Sequence, residues 1–353
     1  MIDSYFRSMV ALRLGLVFFF LSGAAYAAVT VSGELKKWHK VTLTFDGPEG
    51  YNETSTPNPF LDCRMEVSFT FGEKVYVVPG YYAADGDAGA TGASSGNKWR
   101  AHFAPDEEGE WAWSASFATG EKVAIDRDLP GFPDPSIDGL SDSFSIGPTD
   151  KTGRDHRGKG RLRYIGERYL QFAETGEYFL KAGADSPETF LAYSDFDDLR
   201  DFRLKTWEAH VQDWQPGDPT WHGSKGKGII GAINYLSDKG MNVQSFIVMN
   251  LRGWTGNVYP FITDNLTTVL TDNDLLRYDV SRLDQWETVF EHMDRKGIFM
   301  HFKLQEARST NLLSREERFL FYRELNARFS HHLALNWNFG EEATNSKEEI
   351  LSF

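Results

Sequence analysis

Lys227-Gly228-Ile229-Ile230-Gly231-Ala232-Ile233-Asn234-Tyr235-Leu236-Ser237-Asp238-Lys239-Gly240 is followed, after Met241-Asn242, by Val243-Gln244-Ser245-Phe246-Ile247-Val248-Met249. In the first stretch Ile229, Ile230, Ile233 and Leu236 recur at helical spacing, and Gly240 supplies a helix stop. The second is a short apolar run of strand length. The same alternation continues downstream. A helix is predicted from Ser281, with Asp284 as the acid of a capping box and Leu283, Trp286, Phe290 and Met293 on one face. Gly297 ends it, and Ile298-Phe299-Met300-His301-Phe302 is the next strand. Ser314 and Glu317 form a second capping box for a helix running to about Arg328, after which Leu333-Ala334-Leu335-Asn336-Trp337 is a strand. Upstream, Phe179-Leu180-Lys181-Ala182-Gly183-Ala184-Asp185 reads as the first strand of the series. Strands alternating with helices at this spacing mean βαβ units and a parallel sheet. No GxGxxG follows the first strand, so a (β/α) barrel is preferred to a dinucleotide-binding sheet. Four units are found where a closed barrel needs eight, in about 250 residues.

Residues 33–146 follow a different period. Val41-Thr42-Leu43-Thr44-Phe45, Met65-Glu66-Val67-Ser68-Phe69-Thr70-Phe71 and Trp111-Ala112-Trp113-Ser114-Ala115-Ser116-Phe117 alternate apolar with polar, with turn residues between them. Short strands at this spacing argue for an antiparallel β-sandwich. Phe103-Ala104-Pro105-Asp106-Glu107-Glu108-Gly109-Glu110-Trp111 makes a tight corner that sets an indole into its core. Asp85-Gly86-Asp87 has too few spaced carboxylates for a calcium loop and reads as a flexible loop. Residues 1–27 carry Arg7 and Arg13, an apolar run Leu14 to Leu21, and Ala25-Tyr26-Ala27, the order of a secretory signal peptide. The expected layout is therefore signal peptide 1–27, β-sandwich 28–147, a solvated linker 148–163 rich in Lys, Arg and Gly, and the βα half 164–353. The chain is expected to be exported, with no membrane span after signal removal.

Composition narrows the function classes. Lys plus Arg is 37 against 51 Asp plus Glu, a net charge of −14, which argues against a nucleic-acid partner. Cys63 is the one cysteine, so an intramolecular disulfide and a thiolate-rich zinc site are both excluded. Aromatics reach 14%, which suits stacking on sugar rings as well as filling sandwich cores.

The corner Phe103 to Trp111 and its flanking strands resemble the immunoglobulin-like module, domain of unknown function 5060, that precedes catalytic barrels in secreted bacterial glycoside-hydrolase-like proteins. Downstream, Lys181-Ala182-Gly183-Ala184-Asp185-Ser186-Pro187-Glu188-Thr189-Phe190-Leu191-Ala192-Tyr193, Gly217-Asp218-Pro219-Thr220-Trp221 and Trp337-Asn338-Phe339-Gly340-Glu341-Glu342 resemble the barrel of the same group. The resemblance implies a secreted carbohydrate-active protein acting on a polysaccharide or oligosaccharide, with no cofactor and no metal. It implies a clan-A type barrel, whose acid/base Glu follows an Asn at the end of strand four. Glu342 takes the acid/base position here, and Glu341 stands where the clan has the amide, a departure that leaves Glu341 itself as the other candidate. The partner nucleophile of that clan lies at strand seven, beyond Phe353, so the chain reads as the N-terminal half of such a barrel.

Active sites of these barrels gather at the C-terminal ends of the strands. Those ends supply the substrate-binding candidates Asp185, Asn250, Arg252, Trp254 and Glu306, with Trp214 and Trp221 in the loops as stacking platforms beside Tyr193. Arg252 and Lys303 suit either an acidic sugar or ordinary ion pairs. His210, His222 and the tandem His331-His332 are read as structural. A second reading, a non-catalytic carbohydrate-binding or surface-adhesion protein with a degenerate barrel, remains open.

Overall fold

The computed structural model describes residues 29–199, 203–251, 257–262, 275–305, 313–340 and 347–348. The first part contains β1 (Val29–Gly33), β2 (Val41–Asn52), β3 (Cys63–Phe71), β4 (Lys74–Pro79), β5 (Tyr81–Tyr82), the one-turn helix α1 (Ala88–Thr91), β6 (Ser95–Phe103), β7 (Gly109–Thr119), β8 (Phe132–Pro133) and β9 (Ser141–Ile146). They form two antiparallel sheets, β1-β2-β6-β5 and β4-β3-β7-β8, with β9 also paired to β7. Period-two patterning decides which face is inward. In β3, Cys63, Met65, Val67 and Phe69 are buried while Arg64, Glu66 and Ser68 are not. The inner faces meet through aromatic rings: Phe69 stacks on Phe103 at 4.3 Å, and Trp99 meets Phe117 edge-on at 4.7 Å.

The Phe103–Trp111 corner forms as the sequence suggests. Gly109 has φ +121°, and a Cβ there would press the Phe71 ring at 3.1 Å. Trp111 is fully buried, and its indole N–H donates to the Glu107 carbonyl at 3.1 Å. The Asp85–Asp87 loop is a closed turn: the Asp85 carboxylate accepts from the Asp87 N–H and the Thr91 hydroxyl.

The segment read as a solvated linker packs against its neighbours. It contains α2 (His156–Lys159), and His156 is buried with its Nδ1 3.1 Å from the Asp294 carboxylate. Arg161 donates to the carbonyls of Ser330 and His332. A run of Lys, Arg and Gly looks solvated in sequence, but Arg161 serves carbonyls of the distant segment 330–332.

Next come β10 (Leu162–Arg163), β11 (Leu170–Phe172) and β12 (Tyr178–Phe179) as an antiparallel ribbon, then β13 (Gly183–Ala184), α3 (Lys227–Asp238), β14 (Val243–Ile247), α4 (Val280–Lys296), β15 (Phe299–Lys303), α5 (Arg315–Phe329) and β16 (Leu335–Asn338). The strand expected over Phe179–Asp185 is divided: Phe179 closes the ribbon, and Gly183–Ala184 alone joins the parallel sheet β13-β14-β15-β16. Leu162, Phe172 and Phe179 pack with Val243 and Phe299, so the ribbon covers the N-terminal end of that sheet.

Helix α4 also differs from its expected start. Its N-cap is Asp279, whose carboxylate accepts from Arg282 N–H at 2.9 Å, and Ser281 merely donates to the same carboxylate. Asp284 turns away toward Arg100 and Arg328, at 3.7 and 3.8 Å. The box at Ser314 and Glu317 is complete in both directions. Between the layers, Phe290 of α4 stacks on Phe246 and meets Phe302 and Phe329. On the other side, Arg328 of α5 donates to the Tyr82 carbonyl and lies over the Tyr81 ring at 4.1 Å. One apolar core runs from the sandwich into the βα layer.

Candidate functional site

The register of the parallel sheet decides what each face carries. Ser245 pairs with His301 and His301 with Asn336; Ile247 pairs with Lys303 and Lys303 with Asn338. Because side chains alternate, Phe246, Phe302 and Trp337 fall on one face and Ser245, His301, Lys303 and Asn338 on the other. The first face is taken by α4 and its neighbours. The polar residues therefore lie on the face away from the helices, toward the C-terminal ends of the strands.

There they form a connected set. Lys181 Nζ donates to His301 Nδ1 at 3.1 Å, and the Ser245 hydroxyl lies 3.1 Å from the same nitrogen. His301 Nε2 is 3.2 Å from the Asn338 amide. Burial, together with the Lys181 and Lys303 charges, holds His301 below the usual imidazole range, so it is neutral at pH 7. Lys303 reaches Glu188 at 2.5 Å and Asp185 at 3.3 Å. Burial alone would lower its pKa, yet these two carboxylates raise it. Asp185 is held below the usual carboxylate range by its Ser245 hydrogen bond and by Lys303, while its side chain stays 76% exposed. This face offers a solvent-facing carboxylate, a neutral imidazole, two ammonium groups and an amide within one sheet. Such a set suits hydrogen bonding to several hydroxyls at once.

The candidates read from the sequence fare unequally. Asp185 belongs to this set. Asn250 is 1% exposed, and its amide braces the loop after β14: Oδ1 accepts from Val258 N–H at 2.8 Å, and Nδ2 donates to Asn257 at 3.1 Å. Trp221 is 3% exposed, stacked on Phe196 at 5.4 Å, with its N–H donating to the Asp195 carbonyl. Its faces serve the core. Trp214 is half-buried, with the Lys227 ammonium 4.4 Å above its ring. Arg252, Trp254, Glu306, Glu341 and Glu342 lie outside the described residues. The backbone leading to Glu341 is described: Gly340 N–H donates to Asn338 Oδ1, and Gln305 Nε2 donates to the Phe339 carbonyl. Gly340 has φ +128°, and a Cβ there would meet the Gln305 carbonyl oxygen at 2.7 Å. The ends of β15 and β16 are thus drawn together.

Sequence reasoning passed over His301, Ser245 and Lys181. The signal was available in part, since period two puts His301 and Lys303 on one face of the strand at 298–303.

Comparison with known proteins agrees with this architecture. Residues 34–118 match the family described as Domain of unknown function (DUF5060). A solved structure, that of a candidate glycoside hydrolase from Bacteroides vulgatus ATCC 8482, is similar over 90% of this chain with a TM-score of 0.57 and 18% identity. The match covers 50% of that protein, so the chain spans about half its length. At this identity the likeness is one of fold. No curated protein matches. Among the described residues no helix is long and apolar enough to cross a membrane.

Proposed function

We propose that this chain is the N-terminal part of a secreted carbohydrate-active protein, a glycoside hydrolase acting on a polysaccharide or oligosaccharide. On this reading residues 1–27 are a signal peptide and residues 28–147 an immunoglobulin-like module. Residues 164–353 then supply the first strands of a clan-A type (β/α) barrel. The observation that carries it is the polar face Asp185, Glu188, Ser245, His301, Lys303 and Asn338 on the side of the sheet away from its helices. In a barrel that side is the interior, and its C-terminal end is where substrate binds. Glu342 is the proposed acid/base and Glu341 its neighbour in the amide position. A carboxylate beside an acid/base raises its pKa by like-charge repulsion, which suits a general acid. Asp185 and Lys303 are proposed to bind sugar hydroxyls.

One observation favours the binding-protein reading instead. Both described rim carboxylates, Asp185 and Glu188, are tied to Lys303, which suits fixed hydrogen-bond acceptors for sugar hydroxyls. Reducing-sugar release over a polysaccharide panel, using the longest natural protein that contains residues 28–353, separates the two. The hydrolase reading expects turnover that Glu342→Gln abolishes while retention in polysaccharide-containing gels persists. Retention with no turnover by the wild type would leave the binding reading.

A further inference from the structure

A second cluster, sharing no residue with the polar face, lies against His102 of the sandwich. Glu287 on α4 and the tandem His331 and His332 beyond α5 bring one donor atom each within 4.8 Å of one another. His332 Nε2 is 3.0 Å from Glu287 Oε2. His331 Nε2 is 3.0 Å from Oε1, yet it lies off the line of a hydrogen bond, and His331 Nδ1 has no hydrogen-bond partner. The His331 side chain is 3% exposed. A buried imidazole with both nitrogens unpartnered is unusual in a folded protein. In a tetrahedral zinc site neighbouring ligand atoms stand ~3.3 Å apart.

We propose that Glu287, His331 and His332 form a binding site for a divalent transition metal of the zinc type. The supporting shell fits this assignment. His332 Nδ1 is 2.8 Å from the Asp294 carboxylate, the arrangement in which a carboxylate fixes the tautomer and orientation of a metal-ligating imidazole. Lys40 is the competing cation: its ammonium lies 2.8 Å from Glu287 Oε1 and 3.0 Å from Glu291. Lys40 sits on Oε1, so the metal would replace the His332 contact at Glu287 Oε2. A cleft of about 510 Å³, lined by Lys40, His102, Glu287 and Glu291 among others, leads from the sandwich side to Glu287. It gives an entry path on the Glu287 side of the site. Two imidazoles and one carboxylate select zinc, cobalt or nickel over magnesium or calcium. A bound metal would pin α4 to the segment after α5, directly beneath the sandwich.

The test uses untagged full chain dialysed against chelator and titrated calorimetrically with Zn2+, with Mg2+ as control, followed by the visible spectrum of the Co2+ form. The site predicts one Zn2+ per chain, no Mg2+ uptake, and Co2+ d–d absorption of the intensity given by low-coordinate nitrogen and oxygen ligands. Glu287→Gln and His331→Gln should each weaken Zn2+ at least about 10-fold. Lys40→Met should tighten it, because the internal competitor is gone. Folding of each variant is checked by circular dichroism. If one variant unfolds, the other and the wild-type stoichiometry still decide. Absence of stoichiometric Zn2+ uptake by the folded wild type, or uptake unchanged in the folded variants, would overturn the proposal.

Discussion

Glu53 is the most informative residue to perturb for stability. It follows β2 and reaches across to the start of α4, where its Oε1 accepts the Val280 N–H at 2.7 Å. Burial first, and then the negative charge of Asp279, push its carboxyl up to about 8, against the pull of the Val280 N–H. The sign follows from linkage. Between the ordinary carboxylate value near 4.5 and about 8, the folded state holds a proton that the unfolded chain has released. Stability from Glu53 is therefore complete below pH 4.5 and is lost progressively as pH rises through 8. At 1.36 kcal/mol per unit, the whole shift is worth about 4 to 5 kcal/mol. Glu53→Gln keeps an oxygen for Val280 and cannot ionise. The assay compares denaturation midpoints of the two proteins by calorimetry between pH 5 and pH 9. Comparing them pairwise cancels every other titrating group not coupled to Glu53. Near pH 5 the two should agree within about 1 kcal/mol, and by pH 9 the Gln variant should be more stable by about 3 to 5 kcal/mol. Parallel profiles, or a wild type that outlasts the variant at pH 9, would refute the buried, proton-holding carboxyl.

Other expectations rest on single contacts. Gly109→Val forces a β-branched side chain to φ +121° against the Phe71 ring, and chemical denaturation should show a loss of roughly 1–3 kcal/mol in the sandwich. Ser314→Ala removes one half of the capping box of α5 and should cost about 0.5–2 kcal/mol, with Ser314→Asp close to neutral in the same melt. His301→Ala should leave the melting temperature within a few degrees, since Lys181 and Asn338 keep access to water and the buried Ser245 hydroxyl keeps the Asp185 carboxylate as acceptor, while lowering retention in polysaccharide gels.

What the sequence disclosed follows the range of each signal. Alternation in β3 and β7 and helical spacing in α3 are local, so the strands and helices stand near their expected places. The Ser314–Glu317 box is local too and is found intact. The reading of Ser281–Asp284 failed because a second local pattern, Asp279 with Arg282, supplies the cap, while Asp284 answers charges on the sandwich and α5. Nothing within the segment 148–163 announces that His156 will meet Asp294, over a hundred residues on. Trp221 shows the same limit: a loop indole looks available in sequence, and only the packed Phe196 shows that its faces are occupied. Likewise the set around His301 needs the register of four strands, which no single strand reveals.

The central claim is that the polar face of the parallel sheet is where carbohydrate binds. A crystal structure of the protein with an oligosaccharide drawn from the polysaccharide that retains it most strongly tests this directly. The account predicts a sugar ring within hydrogen-bonding distance of Lys303, His301 or Asn338, with Asp185 accepting from a hydroxyl. A sugar bound only on the sandwich, with this face carrying none, would contradict it.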